Sequence, residues 1–422
     1  MLERLELHHL GPAPELSFDF ASRLNLITGD NGLGKTFLLD VAWWVLTRTW
    51  ASYPAAPHRG QGIKPTITYK FKAKSTSVTD TSEYDFQEQT WSRKQGRPAN
   101  PGMVLYARVD GSFSVWDPAR NYYKRAPSKG VDAPDRPAAY HFTSREVWNG
   151  LGSNGTVICN GLIRDWAFWQ TGNNEAFQEL QKALEALSPS PSERLVPGAL
   201  TRISLEDVRE MPTLKTSYRQ EVPVVHASAA VQRIIAMAYL LVWTWQEHLK
   251  ASHLLNEAPS SSLVFLIDEI ETHLHPRWQR TILKALLQVI TALTGTKDMQ
   301  VQALVVTHSP LLLASLEPLF DDQCDALWNL DLVEDQVTAR RETWRRRGDA
   351  NSWLISDIFD LAEPRSLEAE QAMQRAEALM ERAGVAKQEY IDVREALRAS
   401  LPGVDPFWLQ WRFWAREQGF KP

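Results

Sequence analysis

The sequence predicts an α/β fold, with a mixed β lobe and a parallel-sheet core in one head and a helical appendage at the C-terminus. Three observations carry this expectation. The apolar runs "RLNLIT", "LVFLI" and "VQALVVT" each lead through a turn or loop into a helical stretch, as parallel core strands do. Runs such as "TITYKFK" and "SFSVW" alternate and are separated by turn residues, as antiparallel strands are. Beyond about residue 340 the pattern becomes helical and highly charged.

In chain order, Leu5 and Leu7, then Leu16, Phe18 and Phe20, mark two strands. "RLNLIT" is a third, running into Gly29, and Lys35 to Trp50 reads as a helix. Ile67, Tyr69 and Phe71 alternate, and "SEYDFQ", "MVLYARV" and "SFSVW" continue the antiparallel pattern. From Ser144 to Leu187 the period is helical, with breaks at "NGLGSNGT" and "TGNN". Ala229 to Lys250 is a strong helix, "LVFLI" a buried strand, Pro276 a helix start and "VQALVVT" another buried strand. The last helices are "SLEAEQAMQRAEALMERAG", "AKQEYIDVREALRAS" and "DPFWLQWRFWAREQG". These elements place a head at 1–345, with a strand-rich insert at about 60–140 and a helical segment at about 144–190. The appendage occupies 346–422.

A chain of 422 residues suffices for one large domain and an appendage. The formal charge of −5 gives no global pull toward nucleic acid or membrane. Two cysteines, Cys159 and Cys324, exclude a disulfide scaffold and fit a reducing compartment. The longest apolar run, "IIAMAYLLVWTW", falls short of the roughly 20 residues that span a bilayer. The start, "MLERLELHHL", lacks the pattern of a signal peptide. A soluble cytoplasmic protein with no membrane partner is expected.

Gly29, Asp30, Asn31, Gly32, Leu33, Gly34, Lys35 and Thr36 fit the phosphate-binding pattern G-x-x-x-x-G-K-[ST], with a strand before and a helix after. Glycines let backbone N–H groups converge on a phosphate with no Cβ in the way. In this pattern Lys35 spans the β- and γ-phosphates and the Thr36 hydroxyl ligates Mg²⁺. "LVFLIDEIETHLHP" supplies a second half. Asp268 and Glu269 leave a buried strand at its C-terminal edge, where α/β sheets bind ligands. Asp268 is expected to hold Mg²⁺ through water, and Glu269 to polarise the attacking water. "ALVVTHSP" ends on His308, placed to hydrogen-bond the γ-phosphate and sense its loss. His273 and His275 have the spacing of a metal pair, but their position after the carboxylates favours a subunit interface.

The order of these elements resembles the ABC-type ATPase class, more narrowly its SMC/RecF-like branch and the overcoming-lysogenization-defect relatives. That resemblance implies two heads enclosing two ATP molecules, hence a homodimer or a higher assembly of dimers. In such a dimer a signature serine reaches the phosphate turn of the other chain. In "HASAAVQRIIAMAYLL" Ser228 stands at that serine, while Ala230 and Val231 replace the usual glycine and Gln/Glu. The serine and the helix N-terminus remain; the close backbone approach of a glycine does not. The resemblance also makes Gln170, in "CNGLIRDWAFWQ", the candidate for watching Mg²⁺ and the attacking water.

"HASAAVQRIIAMAYLLVWTW", "CNGLIRDW", "IDEIETHLHP" and "DPFWLQWRFW" resemble the ATPases of bacterial anti-phage systems, the PtuA family of Septu and retron-associated modules. This implies an ATPase that regulates a separate nuclease, usually of the HNH type. Two alternatives stay open: a RecF-like DNA-repair ATPase acting directly on DNA, and a non-hydrolysing, ATP-clamped scaffold. A transporter ATPase is disfavoured because the signature lacks the transporter glycines.

Lys35 and Ser228 are 193 residues apart with no sustained heptad between them, which argues against a long coiled-coil arm. There is no zinc spacing, no H-N-H constellation and, after His308, no Asp-x-Asp, so a nuclease would be another chain. From Trp91 to Gly130 eight Lys and Arg interleave with Tyr106, Phe113, Trp116, Tyr122 and Tyr123. That stretch suits phosphate contacts and base stacking, or plain hairpin faces over an aromatic core. "ARRETWRRR" is a basic run beside the helical tail, suited to nucleic acid, an acidic partner or plain solvation. Phe407, Trp408, Trp411 and Trp414 recur at helical spacing, to dock on the head or to anchor a protein interface.

Overall fold

Strand β1 (Leu2–Leu10) buries Leu2, Leu5, Leu7 and Leu10 and is flanked by β2 (Ala13–Asp19) and β4 (Thr66–Lys72). β5 (Ser77–Asp85) and β6 (Thr90–Trp91) complete an antiparallel lobe in the order β2-β1-β4-β5-β6. The computed structural model describes residues 1–72, 77–92, 100–121, 137–216, 220–295, 299–382 and 384–420. It divides into two compact units, Met1–Gly348 and Asp349–Pro422.

The second sheet carries the site. β3 (Leu24–Gly29) lies at its centre, and β7 (Met103–Ala107), β8 (Phe113–Trp116) and β9 (Tyr140–Phe142) form one flank. The antiparallel pattern of "MVLYARV" and "SFSVW" is kept in the pairing of β7 with β8, but both strands belong to this second sheet, and the other edge of β7 runs parallel to a core strand. The reason is visible in its burial: all five residues are buried, as a strand covered on both faces requires. Helix α1 (Lys35–Thr47) lies between the sheets and is buried almost all round, with Trp43 and Trp44 packed among residues of both.

Helix α2 (Ser144–Asn149) is followed by a hairpin, β10 (Leu151–Ser153) and β11 (Thr156–Cys159), where the sequence showed only a break. Its turn is Asn154-Gly155, both at positive φ, the pairing that tight hairpins prefer. Helices α3 (Leu162–Gly172) and α4 (Glu175–Ala186) precede a small sheet of β12 (Val196–Pro197), β13 (Thr213–Lys215) and β14 (Glu221–Pro223). Helix α5 (Ala229–Leu254) leads to β15 (Ser262–Asp268), then to α6 (Pro276–Gln279), α7 (Ile282–Thr294) and β16 (Gln300–Val306). After α8 (Pro310–Leu316), β17 (Asp325–Val333) and β18 (Gln336–Glu342) form a hairpin that the sequence pattern did not disclose. Its turn, Glu334-Asp335, adopts positive φ without a glycine.

The sheet order is β18-β17-β3-β16-β15-β7-β8-β9, parallel from β17 to β7 and antiparallel at both flanks. Arg340 and Arg341 of "ARRETWRRR" therefore lie on the flanking strand β18, and charge on such a strand discourages further pairing. In the basic stretch, Tyr106, Phe113 and Trp116 are core residues, so they offer no stacking surface. Arg108 pairs with Asp40, and Arg120 lies over Tyr140 and Trp243. Tyr122, Tyr123 and six of the eight Lys and Arg lie outside the described residues.

The C-terminal unit contains α9 (Ala350–Leu354), α10 (Leu367–Met380), α11 (Lys387–Ser400) and α12 (Phe407–Glu417). Phe407, Trp408, Trp411 and Trp414 are buried inside this unit against Tyr390 and the apolar face of α10. Neither expected use of these aromatics is needed to account for them. Among the described residues no helix is long and apolar enough to cross a membrane.

Candidate active site

Parallel register aligns the C-terminal ends of β3, β15 and β16, so that Gly29, Asp268 and Thr307 emerge on one edge. Thr307 N–H donates to Ile27 O at 3.0 Å and Glu269 N–H to Val306 O at 3.1 Å, stitching the strand ends together. Two glycines of the turn answer to neighbouring chain. A Cβ on Gly29, at φ 131°, would stand 2.1 Å from Leu330 O, and one on Gly34 2.6 Å from Pro12. Gly32, at φ 83°, faces open space instead. Helix α1 starts with no side-chain cap, so its first N–H groups are free for an anion. Asp30, Asn31 and Gly32 are exposed at the rim, and Leu33 is tucked into the core.

Lys35 Nζ donates to Gly29 O at 2.9 Å and Asp30 O at 2.6 Å, folded back onto its own turn. Burial lowers its pKa, while Glu269, Asp30 and Asp268 oppose that shift. Thr36 Oγ1 donates to Asp268 Oδ2 at 2.9 Å, joining the start of α1 to the end of β15. Asp268 is 1% exposed, and its Oδ1 is buried with no hydrogen-bond partner. An orphaned carboxylate oxygen beside a hydroxyl is a hard, all-oxygen donor set that suits Mg²⁺. Thr36 and Asp268 would hold the ion, with nucleotide and water oxygens as its other ligands. Among the described residues no group of three or more His, Cys, Asp or Glu is placed to hold a metal. His275 caps α6 by accepting from Arg277 N–H, and His273 lines a cleft beside Arg108 and Arg233.

Burial pushes the Asp268 carboxyl up to about 6, against the Thr36 hydrogen bond, which lowers it. The folded value exceeds the ordinary carboxyl value of 3.8, so folding favours the protonated acid. The stabilisation is fully present below about pH 4 and is lost as pH rises through about 6. A difference of this size corresponds to about 3 kcal/mol. Without nucleotide, Asp268→Asn should melt close to the parent near pH 4 and clearly above it near pH 7. An equal difference at both pH values would count against a buried charge at this position.

Glu269 sits at φ 46°, a left-handed conformation that costs a non-glycine residue about 1 kcal/mol or more. Its Oε2 accepts from Thr272 Oγ1 at 3.1 Å, and its Oε1 lies 3.5 Å from His308 Nε2. Burial, and the Lys35 charge after it, lower the His308 pKa, so the ring is held toward its neutral form. The structure thus brings Lys35, Thr36, Asp268, Glu269 and His308 together. Ser228 is the exposed N-cap of α5, its Oγ accepting from Val231 N–H. Gln170 is engaged elsewhere: its Oε1 accepts from Trp166 Nε1 at 2.9 Å, and its Nε2 donates to Gly198 O at 2.7 Å.

Three supporting groups escaped the sequence reading. Glu271 accepts from Thr307 Oγ1 at 2.6 Å and from His308 N–H at 2.8 Å, fixing the segment that carries His308. Arg233 donates to Val109 O at 3.0 Å, Glu269 O at 2.9 Å and Asp268 O at 3.3 Å, tying α5 to the carboxylate segment. Arg108 leaves the end of β7 and bonds Asp40 Oδ1 at 2.6 Å. Asp40 is one helical turn beyond Thr36, a spacing that could have flagged it. Nothing in the local pattern marks Arg233 or Glu271, because their partners are remote carbonyls or a strand end.

A phosphate turn opening a buried helix, with an Asp-Glu pair and a histidine on adjacent strand ends, defines an ATPase of the ABC-like P-loop type. Residues 24–314 match the family described as "AAA domain, putative AbiEii toxin, Type IV TA system", and the chain belongs to that family. Solved structures give looser matches. The SMC head domain from Thermotoga maritima has TM-score 0.40 at 13% identity, covering 81% of this chain and 99% of its own. An SmcHead bound to the C-winged helix domain of ScpA gives 0.41 at 12%, covering 82% and 98%. An Smc head with an extended coiled coil, bound to the C-terminal domain of ScpA from Pyrococcus furiosus, gives 0.38 at 12%, covering 81% and 96%.

Proposed function

We propose that the chain binds ATP with Mg²⁺, closes as a homodimer around two nucleotides, and hydrolyses them to regulate a separate effector in bacterial anti-phage defence. The observation that carries the ATPase part is the Thr36–Asp268 contact, with Glu269 and His308 beside it. The turn 29–36 holds the phosphates and Lys35 spans the terminal pair. Bound Mg²⁺ supplies charge neutralisation at the phosphate oxygens. Glu269 takes the proton of the attacking water, and His308 donates to the γ-phosphate. Ser228, exposed on a helix N-terminus, contacts the γ-phosphate bound by the other copy.

The effector reading, an HNH-type nuclease, follows the resemblance to the anti-phage ATPases. The matched family is described in the words "putative AbiEii toxin, Type IV TA system". Light scattering tests the dimer. With ATP and Mg²⁺ the Glu269→Gln chain should double in mass, and adding Ser228→Arg should return it to a monomer that still binds ATP. A chain that stays monomeric with saturating ATP overturns the cross-dimer site. For the effector, an HNH nuclease encoded beside this chain should co-purify with it and cleave DNA in a nucleotide-dependent way. If instead the chain alone binds DNA in an ATP-dependent, salt-sensitive manner, it acts on DNA directly.

A further inference from the structure

Within the C-terminal unit, α11 and α12 line a cleft of about 360 Å³. Arg394 and Arg398 are one turn apart on α11, Arg412 and Arg416 one turn apart on α12, and all four line the cleft. Trp408 and Trp411 complete the wall. Among the described residues Arg398, Arg412 and Arg416 have no carboxylate or carbonyl partner, and none of those lining the cleft is a carboxylate. Two other arginines of the unit are paired, Arg365 with Glu363 and Asp405, and Arg382 with Glu389. Carboxylates outnumber basic side chains in the unit, so this cluster is not a general property of its surface.

A second observation points to a ligand. Trp411 is 1% exposed and its Nε1 has no hydrogen-bond partner. A buried donor left unpaired is costly. The neighbouring indole is satisfied, since Trp408 Nε1 donates to Pro402 O at 2.9 Å. Three guanidinium groups without a carboxylate partner and a spare indole N–H are left to acceptor oxygens, and planar guanidinium forks match carboxylates two bonds at a time.

The rings of the cleft are already covered. Trp411 stacks on Tyr390 with centroids 5.5 Å apart, and Arg412 lies over Trp408. A nucleic-acid base therefore finds no open ring in the cleft to stack on. Beside the arginines, Leu409 is 76% exposed and Phe413 67% exposed, one turn apart and in one stripe with Arg416. An apolar stripe along a basic cleft complements a peptide with acidic and apolar residues better than a phosphate backbone.

We infer that this cleft docks an acidic segment of a partner protein, its carboxylates on Arg398, Arg412 and Arg416 and an apolar side chain against Leu409 and Phe413. The inference stands apart from the ATPase assignment. The probe is a short fluorescein-labelled peptide of mixed Glu, Asp and Leu, titrated against the full chain by fluorescence anisotropy. Saturable binding that weakens with salt is expected, and Arg398→Ala with Arg412→Ala should weaken it about tenfold or more. Trp411→Phe keeps the ring stack, removes the donor and should weaken binding severalfold. Arg398 and Arg412 are exposed, so the double variant should keep the parent's melting temperature and its stabilisation by ATP. Equal peptide binding by variant and parent, or no saturation at any soluble concentration, overturns the inference. So does a short single-stranded DNA that binds more tightly than the peptide and loses affinity in the same variant.

Discussion

Glu269→Gln is expected to cut steady-state phosphate release by about 10²–10⁴-fold while leaving ATP bound. The substitution keeps the side chain's length, and the Gln carbonyl oxygen still accepts from Thr272 Oγ1. It removes the negative charge that sits 3.5 Å from His308 and opposes the lowered pKa of Lys35. Binding groups on the 29–36 turn are untouched, so nucleotide should accumulate in the closed state. Phosphate release together with nucleotide retention on gel filtration checks both halves. Equal turnover in variant and parent would remove Glu269 from the role of general base. Tight ATP retention with no measurable release in the parent would make the chain an ATP-clamped scaffold.

Lys35→Ala should abolish stabilisation by ATP while changing the nucleotide-free protein little. In the nucleotide-free chain the ammonium is buried and bonded to two carbonyls of its own turn. Truncation loses those bonds but also removes a desolvated charge, so the two effects largely offset each other. With ATP present the balance changes, because phosphate oxygens would be left without their cation. Losing one side of such a buried pair costs about 2–5 kcal/mol, or some 30-fold to several-thousand-fold in affinity. Melting with and without ATP measures this directly, since ligand stabilisation grows with the logarithm of concentration over Kd. An equal rise in melting temperature for Lys35→Ala and parent would exclude Lys35 from the phosphate site.

The core strands, the phosphate turn and the carboxylate pair were legible because each is a local pattern. An apolar run ending in Gly29 or in Asp268-Glu269 has few other uses. The antiparallel pairing of β7 with β8 was legible, but not the parallel pairing of its other edge, because five buried residues state that they are buried and not what covers them. The β17–β18 hairpin was missed because its turn, Glu334-Asp335, carries no glycine or asparagine signal. Gln170 was placed by resemblance alone, and the chain engages both ends of its amide with Trp166 and Gly198.

What could be known from residue order was chemistry at fixed spacing: a turn that suits phosphates, a strand ending in two acids and a helix beginning at Ser228. Which of these meet depended on strand register and on long-range packing. The Thr36–Asp268 bond spans 232 positions in the chain. Arg233 reaches the carboxylate segment only because α5 packs over that edge, and Trp411 keeps an unpaired donor only because three helices close around it. Local side-chain chemistry is set by neighbours in the chain, whereas convergence is set by buried surface that can be satisfied in one arrangement and by no short stretch alone.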